Sequence, residues 1–401
     1  MADNIQSINF YHIIGRTNEL FNLDYESRYN ELKNIVTNSK FLVIGAGGSI
    51  GSAVVKEIFQ IGALQLDCID INENSLTELV RILRSEFGYT TKNFNIFALD
   101  VCSDEFSAFV KHRHYDYVLN LSAIKHVRSE ANPFTISRML KVNILANKKI
   151  HDYAVQTGAK NYFCVSTDKA ANPVNLMGAT KKAMEISVLA EKSATLVSSA
   201  RFANVAFSNG SLLQGFENRV RSGHPITFPR DVQRFFISPK EAGVICLFSS
   251  LFGGHGDIYF PHNVEELRLT GFQLILERFL ISKGFEPYYC DSEDEARERA
   301  AQLLFDEGWP VYSFGSDTAG EKHYEEFFTD RETIDLEQYN DIGVVKTQYD
   351  TSVETIHNLI EIIKNYDPNS ENAIQNIIRT FEDFLPDFQH AHSAKTLNER
   401  M

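Results

Sequence analysis

The sequence predicts an α/β protein built on a doubly wound parallel sheet, with a smaller C-terminal substrate-binding lobe. Three observations predict it. Between residues 40 and 210, short apolar runs alternate with amphipathic helical patterns, as in a parallel sheet covered on both faces. The first strand runs straight into a glycine-rich turn and a helix. Asp70, Asp100, Ser122 and Thr167 all fall at carboxyl ends of predicted strands, where such sheets bind ligands.

Taken in order, residues 1–39 form a polar and aromatic arm that ends in a helical pattern through Tyr25, Tyr29, Leu32, Ile35 and Val36. The arm packs either on the domain or on a neighbouring subunit. Residues 40–210 form the nucleotide-binding domain. Lys40–Gly45 reads as a buried strand, Ile50–Gln60 as a helix, Leu64–Ile69 as a strand and Ser75–Glu86 as a helix. Strands at Asn95–Leu99 and Tyr115–Leu119 follow, then one long helix over Pro133–Val155 with proline in its first turn. A strand at 161–166, a helix at 177–191 and a strand at Thr195–Ala200 complete the alternation.

Beyond residue 210 the pattern breaks. Segments 223–229, 235–243 and 251–261 are rich in Gly, Pro and Phe, which predicts an irregular lobe covering the substrate over residues 211–345. Within it, Leu267–Lys283 and Ser292–Glu307 read as helices. The tail, 346–401, carries helical patterns at Val353–Lys364 and Asn372–Phe384 and a frayed polar end.

Acidic residues outnumber basic ones 53 to 39. That balance repels phosphate backbones, so nucleic acid is not an expected partner. Five cysteines lie scattered with no C-x-x-C pair, as expected of reduced thiols in a cytoplasmic protein. The N-terminus lacks a basic, then apolar, leader pattern, and no run reaches the roughly 18 apolar residues of a membrane span. Neither a signal peptide nor membrane insertion is expected.

Gly45, Gly48 and Gly51 follow the first strand and open the first helix, with Ser49 and Ile50 at its N-terminus. Glycines there allow a tight turn and close approach to a pyrophosphate, and the helix end offers oriented N–H groups. Asp70 ends the second strand. A carboxylate at that place accepts from a ribose diol and repels a 2′-phosphate, which favours NAD over NADP.

The spacing G-x-x-G-x-x-G resembles the Rossmann-type extended short-chain dehydrogenase/reductase superfamily. Ala98–Val101 resembles that family's acidic turn near adenine, which puts Asp100 and Val101 there. Asn120–Ala123, with Ser122, resembles the segment beneath the nicotinamide ribose, and Asn143 the family's helix asparagine. Five further stretches, 123–127, 166–173, 177–181, 201–205 and 234–242, resemble the UDP-N-acetylglucosamine 4,6-dehydratases of bacterial surface-glycan pathways. Residues 320–326 resemble their C-terminal P-G-E-K-x-x-E-E element. The likeness covers residues 40–260 well and 310–330 weakly, and leaves the arm and tail outside. Two departures stand out: Thr318–Ala319 replaces the usual Arg-Pro, and Met177 replaces the usual tyrosine.

The resemblance implies a reaction in which hydride leaves sugar C4, water is eliminated across C5 and C6, and hydride returns to C6. Such chemistry needs a group at the C4 oxygen, an acid for the C6 hydroxyl and a base for the C5 proton. The resemblance assigns these to Thr167, Asp168 and Lys169 respectively, and puts Lys181 on the nicotinamide ribose. Lys125 and His126 fall on the substrate side. Asn204 and Arg234 are candidates for the nucleotide-sugar end, with a structural role equally open. Met177 lacks the phenol proton of its tyrosine relatives, and the resemblance then implies retention at C5. A homo-oligomer is expected from the resemblance and the aromatic arm. No metal site is expected, because His112 and His114 stand two apart with no neighbouring ligand. A C4 epimerase or reductase, and a non-catalytic NAD-binding scaffold, stay open as alternatives.

Overall fold

The computed structural model describes residues 10–202, 204–263, 266–302, 307–315, 324 and 326–391. The arm consists of α1 (Phe10–Ile13) and α2 (Asn22–Thr37). The first half of the domain then runs β1 (Lys40–Ile44), α3 (Ser49–Ile61), β2 (Gln65–Asp70), α4 (Glu73–Phe87), β3 (Phe94–Ala98), α5 (Asp104–Val110) and β4 (Tyr117–Asn120). Next come α6 (Pro133–Leu140), α7 (Asn147–Gln156), β5 (Asn161–Val165), α8 (Leu176–Leu189) and β6 (Leu196–Ala200). Short pieces follow: β7 (Asn204–Val205), α9 (Leu212–Ser222), β8 (Ile226–Pro229), β9 (Gln233–Arg234) and β10 (Phe236–Ile237). The remainder is α10 (Pro239–Phe252), β11 (Asp257–Pro261), β12 (Thr270–Gly271), α11 (Phe272–Ser282), β13 (Pro287–Tyr289), α12 (Glu293–Ala301), β14 (Trp309–Phe314), β15 (Thr333–Asp335), β16 (Ile342–Lys346), α13 (Val353–Lys364) and α14 (Ala373–Phe384).

Nine strands form the central sheet in the order β15-β16-β11-β6-β5-β4-β1-β2-β3. The seven from β3 to β11 are parallel, and β16 and β15 add antiparallel at one edge. Strands β1, β4, β5 and β11 carry unbroken or nearly unbroken apolar runs because both faces are covered. The order reverses between β1 and β4, so a crevice opens at their carboxyl ends. This is the doubly wound, Rossmann-type α/β fold. A three-stranded sheet of β13, β14 and β8, with α1, α9 and α11 against its apolar core, forms the smaller lobe.

Four elements differ from the sequence expectation. Residues 239–252 and 257–261, expected as irregular, are a helix and a strand of the central layer. α10 is apolar all round because it is buried all round. Its start is fixed by a capping box, in which Ser238 Oγ accepts from Glu241 N and Glu241 accepts from Ser238 N. The expected single helix over 133–155 is interrupted by a π turn at Lys141–Ala146. The expected helix over 292–307 ends at Ala301, and residues 303–306 lie outside the described residues.

The arm packs on its own chain. Phe10 meets Phe207 edge-on, and Tyr25 stacks on Phe248. Arg16 and Glu241 form an ion pair buried on both sides, with Arg16 Nη1 2.8 Å from Glu241 Oε2. The tail packs on the opposite layer. Ile356, Leu359, Ile360, Ile363, Ile377 and Phe381 cover the apolar face of α6 and α8. Among the described residues, no helix is long and apolar enough to cross a membrane.

Candidate active site

A cavity of about 430 Å³ lies at the crevice. Its walls come from the N-terminus of α3, the loops after β4 and β5, helix α8 and segments beyond β6. Gly48, Ser49, Ile50 and Gly51 form one edge. The turn that precedes them depends on glycine. Gly45 has φ +78°, and a Cβ there would lie 2.7 Å from the backbone of Leu121 and Ser122. A Cβ on Gly51 would lie 2.0 Å from Gly45 O. Helix and strand therefore approach as closely as a phosphate-binding turn requires.

Thr167, Asp168 and Lys169 enter the cavity where β5 ends. A 3₁₀ turn over Asp168–Ala170 bunches them, with Thr167 as its N-cap. Asp168 is 6% exposed. Its Oδ1 accepts from Thr167 Oγ1 and from Lys169 N, both at 2.8 Å, and stands 3.4 Å from Lys169 Nζ.

From the facing helix, Met177 and Lys181 reach the same space one turn apart. Lys181 is buried, and its Nζ donates to Val165 O at 2.6 Å. Loss of water around the ammonium is the main cause that brings its pKa down to about 8. Lys125, His126, Asn204 and Arg234 complete the predicted set. Burial lowers the pKa of Lys125. Burial, then the charges of Lys125 and Arg128, lowers that of His126. Four cationic residues, Lys125, Lys169, Lys181 and Arg234, thus line the cavity with one carboxylate, Asp168. That balance suits an anionic ligand.

Other predicted site residues stand beside the cavity rather than on its wall. Asp70 Oδ2 accepts from Gly47 N and its Oδ1 from Asn72 N, both at 2.9 Å. Asp100 pairs with Arg138 at 2.9 Å, next to the buried Val101. Asn120 Oδ1 accepts from Ser122 Oγ at 2.6 Å, next to the cavity-lining Ala123. Asn143, in the π turn, accepts from Ile124 N at 2.9 Å and donates to Ile124 O at 3.0 Å, pinning the loop that leads to Lys125. Of the Gly320–Glu326 element, only Tyr324 and Glu326 lie within the described residues.

The cavity also has walls that sequence reading passed over. Phe236 and Phe272 meet edge-on and give it an apolar side. Ser208, Gly210 and Ser211 line it too, and Asn209 N donates to Ser49 Oγ at 2.8 Å. The Ser-Asn-Gly turn signal at 208–210, directly after a β-type run, could have found this loop. Ser166 Oγ donates to the buried Glu185 at 2.6 Å. Glu185 in turn pairs with Arg201, and Arg201 with Glu332. A cluster of His151, Asp152 and Glu191 has metal-ligand geometry, but Lys148 already bridges its two carboxylates.

The family model described as polysaccharide biosynthesis protein matches residues 41–347. An uncharacterized membrane protein of Methanocaldococcus jannaschii is 29% identical over 79% of this chain and 88% of its own length. The capsular polysaccharide biosynthesis protein CapD of Staphylococcus aureus is 27% identical over 89% of this chain and 56% of its own. A UDP-N-acetylglucosamine 4,6-dehydratase (inverting) of Campylobacter jejuni is 35% identical over 39% of this chain and 48% of its own. The chain thus spans about half the length of these last two relatives. Among solved structures, Pen from Bacillus thuringiensis has a TM-score of 0.61 at 21% identity, over 82% of this chain and 99% of that one, a likeness of fold. By sequence, the chain belongs to the polysaccharide biosynthesis protein family, within the broad superfamily of nucleotide-sugar epimerases and dehydratases.

Proposed function

We propose that this chain is a nucleotide-sugar 4,6-dehydratase. It converts UDP-N-acetylglucosamine to a UDP-2-acetamido-2,6-dideoxy-4-keto hexose with NAD, in the cytoplasm, as a homo-oligomer. One observation carries the reading: Thr167, Asp168 and Lys169 share a cation-rich cavity with the glycine turn and Lys181. The Campylobacter jejuni relative is named for the inverting form of this dehydration, with the opposite outcome at C5. The arm's aromatics pack within the chain, so self-association is proposed on resemblance alone.

The residues present fit a dinucleotide. Gly48 and Gly51 bring backbone N–H groups at the start of α3 to the cavity edge. Asp70 is held by two backbone donors, and a carboxylate has lone pairs left for a ribose diol. NAD, when bound, supplies the hydride acceptor and donor.

The chain's own groups handle the protons. Thr167 Oγ1 is placed to hold the C4 oxygen. To act on C6 and C5, Asp168 must carry a proton and Lys169 must lack one. These are the same proton, moved between groups 3.4 Å apart. Lys181, with its lowered pKa, orients the ribose and keeps the cavity positive. Met177 has no exchangeable proton, so the C4 proton leaves through Thr167, Asp168 or water. Lys169 then returns the C5 proton to the face from which it was taken, which gives retention and the D-xylo 4-keto sugar.

Incubation with UDP-N-acetylglucosamine and NAD tests this by mass spectrometry. The expected product is lighter by one water, with no net NADH. A product of unchanged mass would replace the reading with an epimerase. No turnover of any UDP-N-acetylhexosamine would replace it with a scaffold.

A further inference from the structure

The C-terminal tail lies beyond the family match, which ends at residue 347, yet it reaches the wall of the cavity. Glu130 is the meeting point. It sits on a 3₁₀ turn, Val127–Ala131, which directly follows the cavity residues Lys125 and His126. Its Oε1 accepts from Met177 N at 2.8 Å, in the first turn of α8. Its Oε2 lies 3.0 Å from Nε2 of His390, in the tail. The tail is itself anchored there. Ala391 N donates to Val174 O at 2.9 Å, and Phe388, 2% exposed, shares an apolar cluster with Leu176 and Met177.

A capping role alone does not account for this arrangement. Asn175 already caps α8 by accepting from Gly178 N at 2.8 Å. What Glu130 adds is a tie between two walls, one carrying Lys125 and His126 and the other Met177 and Lys181. A carboxylate near a helix N-terminus also has a favourable charge for that place. We propose that Glu130 is a positioning residue of this site, fastening the start of α8 to the Lys125–His126 loop, and that the segment 385–391 holds it there through His390. The proposal rests on the dehydratase reading only for its effect on rate.

Four proteins test it: wild type, Glu130→Ala, Glu130→Gln and His390→Ala. Each is read by kcat and KM for 4-keto sugar formation, by thermal melting, and by hydrogen exchange of the peptides covering 123–131 and 174–181. Glu130→Ala should lower kcat by about 10- to 100-fold, the cost of misplacing reacting groups by about 1 Å, while KM moves less than about threefold. Exchange should rise in those two peptides and not across the sheet. Glu130→Gln keeps an oxygen for Met177 N and should recover most of the rate. His390→Ala should raise exchange in the same two peptides and lower kcat by a smaller factor, and it serves as the test should Glu130→Ala not fold. Unchanged exchange in both alanine variants would overturn the proposal, as would a loss of rate that tracks global melting and that glutamine does not rescue. If the wild type makes no 4-keto sugar, the dehydratase reading fails, while the exchange comparison still decides whether Glu130 ties the two walls.

Discussion

In the proposed reaction Asp168 is the acid and Lys169 the base. Their side chains stand 3.4 Å apart, with Thr167 Oγ1 and Lys169 N both on the same carboxylate oxygen. Asp168→Asn removes the acid and Lys169→Ala the base, so each should lower dehydration by about 10²–10⁴. Bound NAD should be unaffected, because the proposed roles of both residues are on the sugar. Turnover within a few-fold of wild type in either variant would remove that residue from the mechanism. These residues were legible in the sequence because they are adjacent in the chain and close a strand. Gly48, Lys125, Met177, Lys181, Asn204 and Arg234 were legible by motif, and all meet at one cavity. Glu130 and Glu185 were not legible. Glu130 bonds Met177, 47 residues away, and Glu185 bonds Ser166, 19 residues away, and nothing in the local pattern marks them.

At the scale of the element, the tail turns an outer surface into an inner one. α13 and α14 cover apolar residues of α6 and α8, among them Ile136, Leu140 and Ile186. Phe381 is fully buried at that junction. Phe381→Ala should therefore cost about 3–5 kcal/mol, the usual loss for emptying a large aromatic site, seen as a lower urea midpoint. A midpoint equal to wild type would show that the tail is not packed as described. The tail helices were legible from their 3.6-residue pattern, Val353–Lys364 to the residue. What they pack against was not, because an amphipathic stripe names a face and no partner. α10 was missed for the opposite reason. A helix buried all round has no stripe, and the signal that remained was its capping box at Ser238 and Glu241.

At the scale of the whole molecule, a buried ionic network joins the sheet, the cavity helix and the far edge. Arg201, after β6, pairs with Glu185 of α8 at 2.7 Å and with Glu332, just before β15, at 2.9 Å. Burial alone would raise the pKa of Glu332. Hydrogen bonds from Arg201, and the charges of Arg201 and Lys182, outweigh it and hold the pKa at about 2. A carboxylate with a depressed folded-state pKa stabilises the fold above its unfolded value of 4.5, and that stability is lost as pH falls toward 2. The shift is worth about 3 kcal/mol at pH 7 and about half that at pH 3. Glu332→Gln should thus lose most stability at neutral pH, with the gap to wild type narrowing below pH 4.5. A gap in urea stability that stays constant from pH 7 to pH 3 would contradict this.

In the proposed reaction one cavity removes hydrogen from C4 of a UDP-sugar and returns it to C6 after eliminating water. This is tested most directly by proton and carbon NMR of the product formed from UDP-N-acetylglucosamine deuterated at C4. The expected product is a 4-keto sugar with deuterium in its C6 methyl group and D-xylo configuration. Deuterium found still at C4, in a sugar that has kept its C6 hydroxyl, would contradict it.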